Sequence, residues 1–335
     1  MSGASEAYFT KDFERSFGEY RPEDEDLHPE YKADKPHYAL TETQYFSFNV
    51  PEHDIQAFLY MWVHPNLGLV SGGPMVIKGV KDIYLGAELF DYRCFLPESQ
   101  LPRLSNYKLD NSYSVEMIEP GRVFRIRYDD PARGNSFDIM FTAISEPLVW
   151  PGSKHYEQVM HAKGELLLRG TRYEVDGNSV RDRSWGEARL EDPSNIPPVA
   201  WITGVFDGFA FNATCFDDPE LDPFWKDGFP IDPAKTLKFG WAWHDGEKAP
   251  LIAARALTHY DRASLLPQSI ELEITDARDR TSTLRGTITA GAPLHPWLNI
   301  RTISALIRWE MGGKVGWGEV IQAQGTDFLQ RYHQR

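Results

Sequence analysis

The chain has 335 residues, a formal net charge of −14, a hydrophobic share of 41%, a charged share of 25% and two cysteines. That length allows two domains with ample core, and the composition is that of a soluble globular chain. The acidic balance, with no Lys/Arg-rich run, argues against a nucleic-acid partner or an anionic membrane surface, both of which reward clustered cations.

Cys94 and Cys215 stand far apart with no CxxC or Cys/His spacing, so neither a disulfide framework nor a zinc site is expected and a reducing cytoplasm is the default location. Met1 to Tyr20 is polar and lacks the apolar core of a secretory signal, and no stretch reaches transmembrane length. Residues 1–40, acidic at Pro22-Glu23-Asp24-Glu25-Asp26 and rich in Tyr and His, read as an extended N-terminal arm that wraps a domain and carries little chemistry.

From Gln44 onward the strand signals begin. Phe46, Phe48 and Val50 alternate with Ser47 and Asn49, the period of a half-buried strand. An apolar run, Ala57 to Val63, contains Tyr60 and Trp62 and ends at His64, which opens a turn. Ser71-Gly72-Gly73-Pro74 reads as another turn, with strands over Met75–Val80 and Ile83–Phe90. Val123–Tyr128, Phe137–Ile144 and Glu165–Arg169 continue the series, and Tyr173–Val180 reads as a hairpin turning at Asp176-Gly177.

The second half repeats the style. Asp207-Gly208, Asp245-Gly246 and Gly312-Gly313 each separate two apolar segments, and Trp241-Ala242-Trp243 places two rings on one strand face. Ile270, Leu272 and Ile274 alternate with Glu271 and Glu273, and Ile303, Ala305, Ile307 and Trp309 alternate likewise. No long stretch has a 3.6-residue period. The chain is all-β, a sandwich or barrel.

One nonamer concentrates the polar groups: Arg181-Asp182-Arg183-Ser184-Trp185-Gly186-Glu187-Ala188-Arg189, followed by the turn-rich Asp192–Pro198. So many ionisable groups beside a Trp need partners, which suggests a buried or half-buried polar network. Through Arg181, Asp182, Ser184, Trp185, Gly186 and Arg189 the chain resembles the hydroxyneurosporene synthase-like superfamily and, within it, an uncharacterised bacterial branch. The superfamily includes carotenoid 1,2-hydratases, AttH-like bacterial proteins, fungal lipid carriers and some Diels–Alderases. The resemblance implies two tandem lipocalin-like antiparallel β-barrels, spanning 41–190 and 191–335.

Asp182 and Glu187 are the leading catalytic candidates, because protonating an unactivated alkene needs a positioned carboxylic acid in an apolar setting. For Asp182 the competing expectation is an ion pair with Arg181, Arg183 or Arg189; for Glu187 the two readings balance. His64, after an apolar strand, is a candidate base at a rim. Tyr60, Trp62, Trp185, Arg189, Trp241 and Trp243 are candidate substrate-binding residues, the aromatic faces being suited to an apolar ligand or a developing cation. No His pair has ligand spacing, and no nucleophile elbow or nucleotide loop is present, so neither metal nor cofactor is expected. The sequence thus points to a cofactor-independent enzyme acting by hydration, dehydration, isomerisation or cyclisation on an isoprenoid-like or polycyclic molecule. The alternatives are a carrier that holds such a ligand and, through the acidic stretch at 20–30, an interaction module; a homodimer is left open.

Overall fold

The computed structural model describes residues 17–29, 38–150, 152, 154–188, 197–221, 231–297 and 300–333, without the side chains of 187, 188, 297 and 333. The chain forms two compact units: Phe17–Lys78 with Leu85–Leu190, and Glu191–Arg335 with Gly79–Tyr84. Both are built from antiparallel strands, so the all-β class expected from the strand pattern is the class found.

The first unit contains β1 (Leu40–Val50), β2 (Ile55–His64), β3 (Leu69–Lys78), β4 (Leu89–Phe90), β5 (Arg93–Pro97), β6 (Asn106–Lys108), β7 (Ser114–Glu119), β8 (Val123–Asp130), β9 (Asn135–Ala143), β10 (Leu148–Val149), β11 (His155–Leu168) and β12 (Thr171–Ala188). Its sheet runs β4-β3-β2-β1-β12-β11-β9-β8-β7-β6, with β5 on β3 and β10 on β11. Four ladder steps separate β1 from β8, which in a flat sheet would be roughly 19 Å. Yet the rings of Phe46 on β1 and Phe124 on β8 lie 5.2 Å apart, so the sheet curls over a shared core. Phe48, Leu59, Ile126, Ile139 and Met160 fill that core. Near the two ends of the sheet path, the Tyr128 hydroxyl of β8 donates to Asp91, between β4 and β5, at 2.8 Å.

The second unit is a closed eight-stranded barrel of β13 (Val199–Phe206), β14 (Phe209–Phe216), β15 (Leu237–His244), β16 (Glu247–Tyr260), β17 (Pro267–Asp276), β18 (Thr281–Trp297), β19 (Ile300–Met311) and β20 (Lys314–Gly325). Closure leaves no unpaired edge. Its interior packs Phe206, Phe209, Phe211, Leu272 and Ile307 around Trp309, whose indole N–H donates to the Thr203 carbonyl at 2.8 Å. Lys81 ties its segment to this barrel by donating its backbone N–H to Gly291. A terminal helix, α1 (Thr326–His333), seats Phe328 beside Leu265.

The turns at Asp207-Gly208, Asp245-Gly246 and Gly312-Gly313 stand where the sequence places them, joining β13–β14, β15–β16 and β19–β20. Asp245 and Gly246 both take positive φ (47° and 94°), the conformation a two-residue hairpin loop demands. Three local expectations are corrected. Asp176-Gly177 is not a turn: β11 and β12 turn at Arg169-Gly170, and Gly177 sits mid-strand, where a Cβ would come within 3.0 Å of the Asn49 side-chain oxygen. Ser71 to Pro74 is not a turn either, but part of β3; side chains on its glycines would strike the Tyr60 and Asp91 carbonyls. Of Ile83–Phe90 only Leu89 and Phe90 are strand. Both cysteines are free.

Candidate functional site

The first eight residues of the nonamer, Arg181–Ala188, are the last eight of the eighteen in β12, and strand alternation splits them into two sets with different surroundings. Arg181, Arg183 and Trp185 leave one face, Asp182 and Ser184 the other.

On the first face Arg181 donates twice to Glu25, at 2.7 and 2.9 Å, and once to Gln158 at 2.8 Å. Its guanidinium lies 4.3 Å from the Phe124 ring centroid. Tyr20 and the backbone N–H of Gly121 also donate to Glu25. Burial alone would raise the Glu25 pKa, but the Arg181 charge and the hydrogen bonds from Arg181, Tyr156 and Tyr20 outweigh it and hold the carboxyl below its ordinary range. Arg183 repeats the scheme with Glu42 at 2.6 Å and the Asp26 carbonyl at 2.7 Å. Burial again opposes ionisation of Glu42; the hydrogen bond from His28 and the Arg183 charge prevail, and its pKa is also lowered. The His28 ring stacks on Trp185, centroids 4.4 Å apart and planes 6° from parallel. Arg181 and Arg183 are therefore committed to glutamates, not to Asp182. Glu25, the Asp26 carbonyl and His28, all from the N-terminal segment, partner the two arginines, while Glu42 comes from β1.

The other face gathers four of the residues that the sequence singles out. Cross-strand register places Tyr60 opposite Tyr45, Tyr45 opposite Asp182, and Asp182 opposite Glu157, one residue from each of β2, β1, β12 and β11. Directly paired residues project to the same side of a sheet. Along β2 the same side carries an aromatic row: Phe58 stacks with Tyr60 at 5.3 Å, Tyr60 meets Trp62 edge-on at 5.9 Å, and Trp62 stacks with His64 at 5.3 Å. Glu157 is buried and contacts the His155 ring nitrogen at 3.3 Å. Tyr60, His64, Asp182 and His155 are half-buried; Tyr45, Phe58 and Trp62 are buried.

Four sequence candidates, Tyr60, Trp62, His64 and Asp182, thus share one sheet face. Trp185 does not; it packs among His28, Tyr156 and Val149. Trp241 and Trp243 belong to the second unit on β15, where Trp241 is buried and Trp243 half-buried; Ala242 between them joins the barrel-core cluster and neither ring does. Glu187 pairs with Thr41 in the ladder, but its side chain, like the whole of Arg189, lies outside the described residues. Sequence reasoning missed Tyr45, His155 and Glu157; the only signal for them was period-2 alternation, which names a face and not a partner. A cleft of about 320 Å³ in the same unit is lined by Asp26, Leu27, Glu42, Val63, Pro65 and Arg103.

Among the described residues no cluster of three or more His, Cys, Asp and Glu is placed to hold a metal, and no helix is long and apolar enough to cross a membrane.

Residues 21–323 match a family described as a domain of unknown function, DUF7064. The chain belongs to the DUF7064 family. This DUF7064 protein shares its fold with kievitone hydratase from Nectria haematococca, at 12% identity and a TM-score of 0.51 over 94% of this chain and 98% of the other. It is similar to CghA at 11% identity and a TM-score of 0.54, over 95% and 97% of the two chains. It is also similar to a protein of Nitrosomonas europaea assigned as an AttH, at 12% identity and a TM-score of 0.50, over 92% and 97%. No curated protein matches it. At such identities the likeness is one of fold: the double, lipocalin-like all-β architecture.

Proposed function

We propose that this DUF7064 protein is a cofactor-independent lyase or isomerase that binds an apolar, isoprenoid-like or polycyclic molecule against the Phe58–Tyr60–Trp62–His64 row and acts on it through Asp182. The observation that carries the reading is the juxtaposition on one face of a half-buried carboxyl, a second carboxyl behind it and a continuous aromatic row. In water-poor, apolar surroundings a carboxyl group favours its protonated form, and a positioned carboxylic acid can deliver a proton to an alkene or to a leaving hydroxyl. The Tyr60 and Trp62 faces stabilise the positive charge that develops. His64, at the end of the row, takes up the proton lost from the neighbouring carbon, or activates the water that adds there. One structural neighbour carries the name of a hydratase, which fits this reaction class.

Native mass spectrometry of freshly purified protein, with organic extraction of whatever is bound, tests the reading. A retained apolar molecule that wild type converts and Asp182→Asn only holds supports it. Equal retention without conversion by either protein makes this a carrier and overturns it.

A further inference from the structure

We infer that His155 and Glu157 form a proton relay that reloads Asp182 from solvent, an inference resting on the assignment of Asp182 as the acid. An acid that gives its proton to carbon must recover one before the next turnover, and it must do so without water flooding an apolar face. The three residues are arranged for this. Glu157 is wholly buried and is the direct cross-strand partner of Asp182. Opposed residues on adjacent strands bring their Cβ atoms to roughly 4.5–5.5 Å, so two carboxyl groups there can exchange a proton. At its other side Glu157 contacts the His155 Nε2 at 3.3 Å, and the His155 side chain retains 19% exposure.

The path therefore runs from solvent, through a partly exposed imidazole and a buried carboxyl, to an acid whose residue is half-buried but whose Oδ1 is itself shut off from water. Protonated His155 gives its Nε2 proton to Glu157, Glu157 passes one to the Asp182 carboxylate, and His155 takes another from solvent. One proton enters for each proton delivered, and no electrons move. The ring is held in place for the transfer: Trp150 packs against it with centroids 4.3 Å apart and donates its backbone N–H to the His155 carbonyl at 2.8 Å. Titratable groups that share the face with His155 include Glu157 on its own strand, Asp182 on β12, Tyr45 on β1 and Tyr60 on β2, with Lys154 preceding it in sequence. Arg181 and Arg183 leave β12 on the opposite side.

Both are positioning residues that act through Asp182, so the test must separate a relay from a structural His–Glu pair. The full chain is labelled with ¹⁵N-histidine and the His155 ring titrated by NMR, with His155→Gln identifying its signal. Glu157→Gln lowers the midpoint by about one pH unit as the ring loses its carboxylate neighbour. A structural pair, acting through space alone, predicts that shift as well. The deciding readout is therefore the rate at which the Asp182 carboxyl exchanges its proton with water, taken from ¹³C-carboxyl line shapes at its midpoint. In a relay His155→Gln slows that exchange about tenfold and added imidazole restores it, with Glu157→Gln as the second variant should His155→Gln fail to fold; an exchange rate equal to wild type overturns the relay. Neither measurement uses substrate, so the relay can fail while the extraction experiment still supports Asp182 as the acid, and the reverse.

Discussion

Arg181 and Glu25, 156 positions apart in the chain, close an ion pair at 2.7 Å in which each side chain is about 1% exposed. Taking both charges out of water is costly, and the pair persists because every polar atom around it is engaged: Gln158 on the guanidinium, Tyr20 and the Gly121 N–H on the carboxylate. Removing one partner strands the other. Glu25→Gln should destabilise the first unit by about 3–5 kcal/mol, read from urea denaturation, and Arg181→Met by a similar amount. The double variant should cost clearly less than the sum. Additive costs would show that the two groups are not coupled and that the contact is incidental.

The same network sets a pH dependence. Glu25 and Glu42 have folded-state pKa values below their ordinary range. A depressed carboxyl stabilises the fold above the unfolded pKa, about 4.3 for Glu, and that contribution is lost as pH falls through the folded value. The urea midpoint should therefore hold from neutrality to roughly pH 5 and fall steeply below about pH 4. Glu42→Gln should be less stable at neutral pH but show a shallower decline. Parallel profiles for the variant and wild type would remove Glu42 from the account.

How much of this could be read from the sequence turns on register. The alternation of β1, and the Asp-Gly and Gly-Gly loops of the barrel, follow from side-chain period and positive-φ chemistry that a sequence displays directly, whereas Ala57 to Val63 reads only as an unbroken apolar run. Once that run is a strand, side-chain period puts Tyr60, Trp62 and His64 on one face. The partner of Asp182 was not legible. A turn at Asp176-Gly177 would set Asp182 opposite Thr171; the true turn at Arg169-Gly170 sets it opposite Glu157. An Asp-Gly pair is the stronger local turn signal, but here the glycine serves another end: a Cβ at 177 would come within 3.0 Å of the Asn49 side-chain oxygen, so Gly177 lets that side chain approach mid-strand. Glu25 was hidden differently: an acidic run reads as solvated, and only the approach of Arg181 makes burying it favourable.

Trp185 offers a check on the reading of the nonamer as two faces. Its ring is 2% exposed and sandwiched by His28 and Tyr156. Truncating it to Ala should cost about 3–5 kcal/mol, measured by urea unfolding, while leaving ligand retention by the folded protein intact. A melting temperature equal to wild type would instead give that ring a ligand-facing role.

The barrel can be probed independently at Gly204. A Cβ there would overlap the Phe211 ring and come within 3.0 Å of Trp309, in a core that closure prevents from expanding. Gly204→Ala should lower stability by about 1–3 kcal/mol, with the altered Trp309 environment visible in near-UV circular dichroism. An unchanged spectrum and midpoint would mean that the barrel interior is looser than its contacts indicate.

The aromatic row yields a prediction that separates binding from folding. Trp62 is buried and Tyr60 only half-buried, although the two rings touch at 5.9 Å. Trp62→Ala opens a cavity beneath the face and should cost about 3–5 kcal/mol of stability as well as affinity. Tyr60→Ala removes a ring already partly in water, so its stability cost should be smaller, while its share of an apolar ligand's contact is lost in full. For whichever molecule is extracted from wild type, Tyr60→Ala should raise the dissociation constant about tenfold, equivalent to about 1.4 kcal/mol, with near-native unfolding. Asp182→Asn, isosteric with the wild-type side chain, should leave that constant within a few-fold and abolish conversion. Unchanged affinity in Tyr60→Ala would move the ligand off this face, and the acid assigned to Asp182 would lose its substrate with it.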